Sequence, residues 1–454
     1  NVLSGAAGSG TTVHTIDQSI RFNSADSAYM HRTPSSSGNR KTFTSSFWVK
    51  LGDTTDCALP FPSVYQNASY GAFLASGIIQ FFIYYTGSAW QGQLYTNRVF
   101  RDPAAWYHFV IVVDTTQATS TERVRIYVNG QRETSFSTEN YPNQNQDTDW
   151  NNSGEKMGIG VNANGFGGSF GEYYAAEMVY IDGTAYGPEN FGEYNSSGIW
   201  IPKDVSGLSF GTNGFHIDGR DSSDLGDDES GQGNDFTVVN LATNDQMSDS
   251  PTTNWCVMNP LLNNGCTYTN GNLEVAPPNL QSTHRLVLPT QGILPSDTNK
   301  YYWEITYLAS DHSSSVNMLG IGGVDNPNNP ANATLNGDGN GYGLGYNTST
   351  SNIYAGGNWT ANGSPTWSGG FTAGAVYGVA YDGSTKRLYF YENNSALNSG
   401  NHFATYTGSA PLGPGASLYY SPSSSKLIFN MGANGFTYTP PTGYVAVNTT
   451  NLGS

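Results

Sequence analysis

The run Trp106-Tyr-His-Phe-Val-Ile-Val-Val-Asp114 is apolar almost throughout, and the segment that follows, Arg123-Val-Arg-Ile-Tyr-Val-Asn-Gly130, alternates strictly. A short apolar run bounded by polar turns suits a strand in the middle of a sandwich. In the second segment Val124, Ile126 and Val128 share one face, the period of a half-buried strand. Asn129-Gly130 supplies the turn of a tight hairpin. Further strands are expected at 19–22, 42–50, 77–85, 156–160 and 175–182. Charged residues are only 12%, while Gly (55), Tyr (30) and Phe (21) are plentiful. That composition favours strands and turns over helices. No segment repeats apolar residues at helical spacing over more than about three turns. The expected class is all-β, in tandem antiparallel β-sandwiches, with helix under about 10% of residues.

The 454 residues suit two to four domains and allow sizeable cores. A net charge of −17 argues against nucleic-acid binding, which needs a basic face, and against an anionic membrane surface. No apolar run approaches the ~20 residues that cross a bilayer as a helix. Cys57, Cys256 and Cys266 lack the number and spacing of a cysteine metal site. They read as free thiols, with a short loop closed by Cys256 and Cys266 as the alternative.

Four pieces, "SIRFNSADSAYM" at 19–30, "TFTSSFWVKL" at 42–51, "WYHFVIVVD…VRIYVNGQRE" at 106–133 and "AAEMVYIDGTAYGPENFGEY" at 175–194, together resemble the laminin-G and concanavalin-A-like lectin superfamily. The last third resembles the SPRY family, through "YYWEITY" at 301–307, "GYGLGYN" at 341–347, "YGVAYDGSTKRLYFYENN" at 377–394 and "SLYYSPSSSKLIFNMGANGFTYTPPTGY" at 417–444. The expected organisation is an extended Gly/Ser/Thr arm at 1–18, a laminin-G-like jelly-roll sandwich at 19–200, an irregular Asp/Ser/Gly-rich connector with one hairpin at 201–295, a SPRY-like sandwich at 296–445 and a tail at 446–454.

Sugar recognition uses aromatic rings in loops, with polar side chains bonding the hydroxyls. Two loops have that composition: 86–95, with Trp90 and Tyr95, and 356–369, with Asn358, Trp359 and Trp367. The same tryptophans would also serve as plugs at the ends of sandwiches or in subunit contacts. Asp218, Asp221, Asp224, Asp227 and Asp228, with Glu229 and Asp235, crowd into 18 residues. Such loops hold structural calcium in some proteins, and elsewhere are plain solvated turns. No motif present requires a cofactor.

The laminin-G-like fold is also used by polysaccharide hydrolases, which need two carboxylates on one face about 5–9 Å apart. Glu172 and Glu177 are five residues apart, so a regular strand sends them to opposite faces and only a bulge realigns them. Glu304 stands alone in its strand. The seven histidines are scattered, and His108, inside the apolar run, reads as a core or edge residue. There is no Gly-x-Ser-x-Gly and no His-Glu-x-x-His. A non-enzymatic protein is expected, with a polysaccharide depolymerase as the rival class.

The order of modules, with "DSSDLGDDESGQGNDFT" at 221–237 and "TNDQMSDSPTTNWCVMNPL" at 243–261 between them, is similar to virion proteins of tailed bacteriophages, notably marine ones. The resemblance implies a fibre, spike or capsid decoration at the virion surface. It also implies a homo-oligomer, first of all a trimer, with other virion proteins and a host-surface glycan or receptor as partners. A secreted or cell-surface adhesin of a cellular organism is the competing class.

Overall fold

The computed structural model describes residues 14–64, 71–84, 90–162, 169–262, 264–278, 283–308, 317–326, 330–346, 351–419 and 426–453. Strands take 42% of residues and helix 5%, all of it in short 3-10 turns, in agreement with the all-β expectation. Two compact units part between Thr253 and Asn254.

In the first unit the largest sheet runs, in spatial order, Gln131–Arg132, Val124–Val128, Trp106–Asp114, Thr42–Leu51, Tyr173–Asp182, Ser19–Phe22 and Gln246–Met247, with Phe215–Ile217 paired beside Tyr173–Asp182. A second sheet runs Phe136–Asn140, Trp90–Val99, Ile78–Tyr84, Gly71–Ala75 and Asp56–Ala58. The core lies between them. Phe43, Phe47, Val49, Phe109, Ile111 and Val113 meet Leu74, Ile79, Phe81, Ile83 and Leu94 there. The apolar run at 106–114 is explained by its opposite face. Val110 and Val112 pack outward with Val179, Ile181, Phe191, Val205 and Phe210, so the strand is covered on both sides. The expected hairpin turn is present, with φ of 48° at Asn129 and 77° at Gly130. A side chain at Gly130 would also strike the Trp200 ring, 2.4 Å from an ideal Cβ.

The irregular connector expected at 201–295 is divided between the two units instead. Phe215–Ile217 pairs with Met178–Tyr180, Thr237–Val239 with Tyr29–His31, and Gln246–Met247 with Ser19–Ile20. These strands are two or three residues long and find their partners far away in sequence, so neither periodicity nor hairpin signals expose them. A buried ion pair also holds this stretch, Lys50 Nζ to Asp249 Oδ2 at 2.8 Å with both side chains 1% exposed. Asp249 Oδ1 accepts from Trp106 Nε1 at 3.1 Å. Of the expected arm, residues 1–13 lie outside the described set. Ile16 is buried and exchanges hydrogen bonds with the Thr252 hydroxyl.

The second unit stacks two sheets. One centres on Leu427–Asn430, Lys300–Tyr307, Val376–Asp382 and Arg387–Glu392. The other runs Arg285–Val287, Leu412–Leu418, Asn317–Gly323, Tyr342–Tyr346 and Ser351–Ala355. Thr267–Thr269, Glu274–Ala276 and Arg285–Val287, from the expected connector, belong to these sheets. The Gly/Tyr composition of the middle strands follows from crowding: a Cβ at Gly320 would sit 2.2 Å from the Tyr342 carbonyl oxygen. The expected tail is also built in. Val447 is fully buried, and its carbonyl accepts from Cys256 N at 3.2 Å. All three cysteines are free thiols.

Candidate functional site

The structure disperses the residues chosen for sugar stacking. Trp359 is 7% and Trp367 8% exposed. The Trp359 ring lies among Tyr342, Tyr381 and Tyr406, with centroids at 5.4, 6.4 and 4.9 Å, and its Nε1 donates to the Asn340 carbonyl at 2.7 Å. Asn358 Nδ2 donates to Asn340 Oδ1 at 2.7 Å. Trp367 packs against Phe371 at 5.1 Å. Neither indole offers an open face, so both act as plugs within the second unit. Tyr95 is half-buried and meets Phe82 edge-on at 5.4 Å. Trp90 opens the same strand, and its side chain lies outside the described residues.

The acidic loop resolves into turn caps. Asp221 Oδ1 accepts from Ser223 N and Oγ at 2.8 and 2.6 Å, and Asp224 Oδ1 from Gly226 N at 3.1 Å. Asp228 is buried and accepts from His216 N, Ser230 N, Ser230 Oγ and Asn234 N, all within 2.9 Å. Asp218 pairs with Arg220. Asp227 is held above the ordinary carboxylate range by partial burial and by the charges of Asp235, Asp224 and Asp221. Among the described residues no three His, Cys, Asp or Glu side chains come together as a metal-binding group. The carboxylates of Asp221, Asp224 and Asp228 are turned onto neighbouring backbone, as Asp in tight turns commonly is.

A different site emerges on the outer face of the large sheet. Along Tyr173–Asp182, Tyr173 and Ala175 point into the inter-sheet core, and strict alternation would send Glu177 there too. The pairing with Thr42–Leu51 instead slips between Ala176 and Val179. Glu177 takes φ 47° at this bulge, and the core positions resume at Met178 and Tyr180. A left-handed non-glycine residue costs on the order of 1–3 kcal/mol. The bulge thereby re-aims one carboxylate from the core to the outer face, a use bulges often serve.

There Glu177 Oε2 meets His216 Nε2 at 2.9 Å. Burial alone would lower the His216 pKa, but the hydrogen bond and charge of Glu177 outweigh it and hold the imidazole above its ordinary value. The pair forms part of a cavity of about 310 Å³ whose wall includes His14, Asp17, Asp204, Asp218, Arg220 and Glu229. Glu177, His216 and Asp218 are its more buried groups, while Asp17, Asp204 and Glu229 are exposed at the rim. The only hint in the sequence was a lone glutamate inside the apolar phrase Ala175-Ala-Glu-Met-Val-Tyr-Ile181.

Two arrangements that resemble catalytic ones fail on geometry. Glu172 Oε2 accepts from Ser24 N and Oγ at 2.8 and 2.9 Å, and Glu172 does not line the Glu177 cavity, so the bulge does not unite these two carboxylates. Ser46 Oγ lies 2.8 Å from His108 Nε2, as in a nucleophile–base pair. However, Trp200 Nε1, which can only donate, points at His108 Nδ1 at 2.9 Å. The ring proton therefore sits on Nε2 and is donated to Ser46 Oγ, the reverse of what a base requires. Burial pushes the His108 pKa down to about 3, which keeps the ring neutral.

Residues 23–174 match the model of the concanavalin A-like lectin/glucanase superfamily, and residues 300–434 match that of the SPRY domain. No curated protein matches the chain. Similar solved structures include mouse laminin alpha1 domains LG4-5, at 10% identity, covering 97% of this chain and 99% of that one, with a TM-score of 0.31. The SPRY domain of human HERC1 is 17% identical over 38% of this chain and 96% of its own, with a TM-score of 0.28. A putative carbohydrate binding protein from Bacteroides ovatus is 13% identical over 50% of this chain and 61% of its own, with a TM-score of 0.32. The chain thus carries a concanavalin A-like domain in its first unit and a SPRY domain in its second.

Proposed function

We propose that this chain is a non-enzymatic adhesion protein that recognises a cell-surface glycan through its concanavalin A-like unit. The observation that carries the reading is the cavity beside Glu177, where charged and polar side chains converge on a lectin-type sandwich. Carboxylates and imidazoles suit sugar hydroxyls, and a few placed polar groups in a concave site fix orientation. The inverted Ser46–His108 bond and the separation of Glu172 from Glu177 support binding without turnover. In the finer reading the chain stands on the surface of a tailed-bacteriophage particle as a homotrimeric fibre, spike or decoration. The module order, the phrases at 221–237 and 243–261, and a surface low in Lys support it, because an acidic surface adheres poorly to the particle's own DNA.

A glycan array probed with the multimerised full chain tests the recognition, because weak sites gain strength through several copies. Silence across host glycans would remove it. New reducing ends after incubation with capsule or exopolysaccharide, lost on Glu177→Gln, would replace it with a depolymerase. An antibody to residues 296–445 that labels no particle would sink the virion setting.

A further inference from the structure

Four neighbouring strands carry one polar row across the outer face of the large sheet. His108 stands on Trp106–Asp114, Ser46 on Thr42–Leu51, Glu177 on Tyr173–Asp182 and His216 on Phe215–Ile217. Strand pairing sets them side by side, with Trp48 opposite His108 and Val179 opposite both Ser46 and His216. Each end of the row is closed by a contact: His108 Nε2 lies 2.8 Å from Ser46 Oγ, and Glu177 Oε2 lies 2.9 Å from His216 Nε2. Ser46 and Glu177 make no direct hydrogen bond with each other.

The protons of the first half all run one way. Trp200 donates to His108 Nδ1, so the ring donates from Nε2 to Ser46 Oγ. Ser46 therefore accepts with its oxygen and keeps its own proton. The residue is 2% exposed, and its hydroxyl proton has no acceptor among the described residues. Leaving a buried donor unmade is costly, so this proton needs an acceptor.

A small cavity lies at the gap. It measures about 10 Å³, and its wall includes Ser46, His108 and Glu177. One water needs roughly that volume, together with two to four polar partners. Trp48, Val179 and Phe191 make much of the remaining wall apolar. Lys203, the ammonium on the wall, donates to the Glu189 carbonyl at 3.2 Å. The Ser46 hydroxyl and the acceptor-only Glu177 carboxylate are thus the polar pair that a water here satisfies.

We propose that a single ordered water fills this cavity, accepting from the Ser46 hydroxyl and donating to the Glu177 carboxylate, and that Ser46 is thereby a positioning residue for Glu177. The hydrogen-bonded chain runs from the Trp200 indole through His108, Ser46 and the water to a carboxylate that His216 meets from the other side. The bulge at Glu177 gains a second task, because a regular strand would send the carboxylate to the core and end the row at Ser46. This inference goes beyond the glycan reading and requires no ligand, so either can fail alone.

The test has two arms, both on the full chain. A high-resolution crystal structure of the unmodified protein should show one water about 2.5–3.0 Å from both Ser46 Oγ and a Glu177 oxygen. NMR titration of the His216 ring, in the parent and in Ser46→Ala, reads the connection at a distance. Removing the donor and its water concentrates the Glu177 charge on the imidazolium, so the His216 midpoint should rise by about half a unit. Asp218 and Arg220 also act on His216 and are the same in both proteins, so the difference reports Ser46. A midpoint that stays or falls overturns the positioning role, because a hydroxyl that merely packs would leave that ring alone. A dry cavity, or a Ser46 hydroxyl donated to a backbone carbonyl or directly to Glu177, overturns the water. If Ser46→Ala fails to fold, the crystal structure decides by itself.

Discussion

Glu304→Gln should destabilise the second unit by about 3–5 kcal/mol although it changes a single atom. Glu304 is fully buried in Lys300–Tyr307. Its Oε2 accepts from Asn430 Nδ2 at 2.9 Å and Thr437 N at 2.8 Å, and its Oε1 from Tyr438 N at 2.8 Å and Tyr302 OH at 3.2 Å. An amide offers two donors where a carboxylate offers only acceptors. The least costly orientation places NH₂ at the Oε1 position, where the Tyr302 hydroxyl can rotate to accept. The Tyr438 backbone N–H is then orphaned, at about 1–3 kcal/mol, and two surviving bonds lose their charge assistance at about 1 kcal/mol each. Hydrogen exchange of the full chain locates the loss, because protection should fall at 437–438 and on the strand Leu427–Asn430 while the first unit is unaffected. Urea denaturation supplies the magnitude. A Glu304→Gln protein within about 0.5 kcal/mol of the parent, with unchanged protection at 437–438, would refute the assignment of this carboxylate as the clasp of that loop.

Three further outcomes follow from the first unit. Asp249→Asn should cost about 3–5 kcal/mol by leaving the Lys50 ammonium buried without its carboxylate, and Lys50→Met with Asp249→Leu should recover most of that loss; a double variant as unstable as the single one contradicts the ion-pair account. His216, held above its unfolded value of about 6.5, contributes stability that is complete below that pH and is lost as pH rises through the folded value, so urea stability of the first unit should fall on going from about pH 6.5 to 8, and Glu177→Gln should flatten the slope. His108, pushed down to about 3, has the opposite sign, and its contribution is lost as pH falls from about 6.5 towards 3, a window separable from that of His216.

Much of the scaffold was legible because its longest strands carry their own signals. The Trp106–Asp114 and Val124–Val128 pair and the Arg387–Glu392 hairpin depend on local periodicity and turn residues. The short strands at 215–217 and 237–239 depend on partners about 40 and 200 residues away, a distance at which single-sequence patterns are silent. Two of the stacking candidates, Trp359 and Trp367, take the alternative place as plugs for a related reason. A loop rich in Gly, Ser and Trp reads as exposed, yet Trp359 turns inward because Asn340 supplies the acceptor its indole needs. The acidic loop was legible as turn material, though not the task of Asp228, whose carboxylate ties His216, Ser230 and Asn234 together. The cavity was illegible because Glu177 reaches it only through a slip in strand register.

That slip separates scaffold from recognition within one strand. Glu177 is a supernumerary residue, inserted between two stretches that each keep perfect alternation against their neighbours. Loss of its single codon would bring Ala176 and Met178 into regular succession, restore the ladder and take the His216 partner out of the cavity without disturbing the core. One mutational step therefore adds or removes this carboxylate, and the His216 pairing with it, while the sandwich that displays them stays constant.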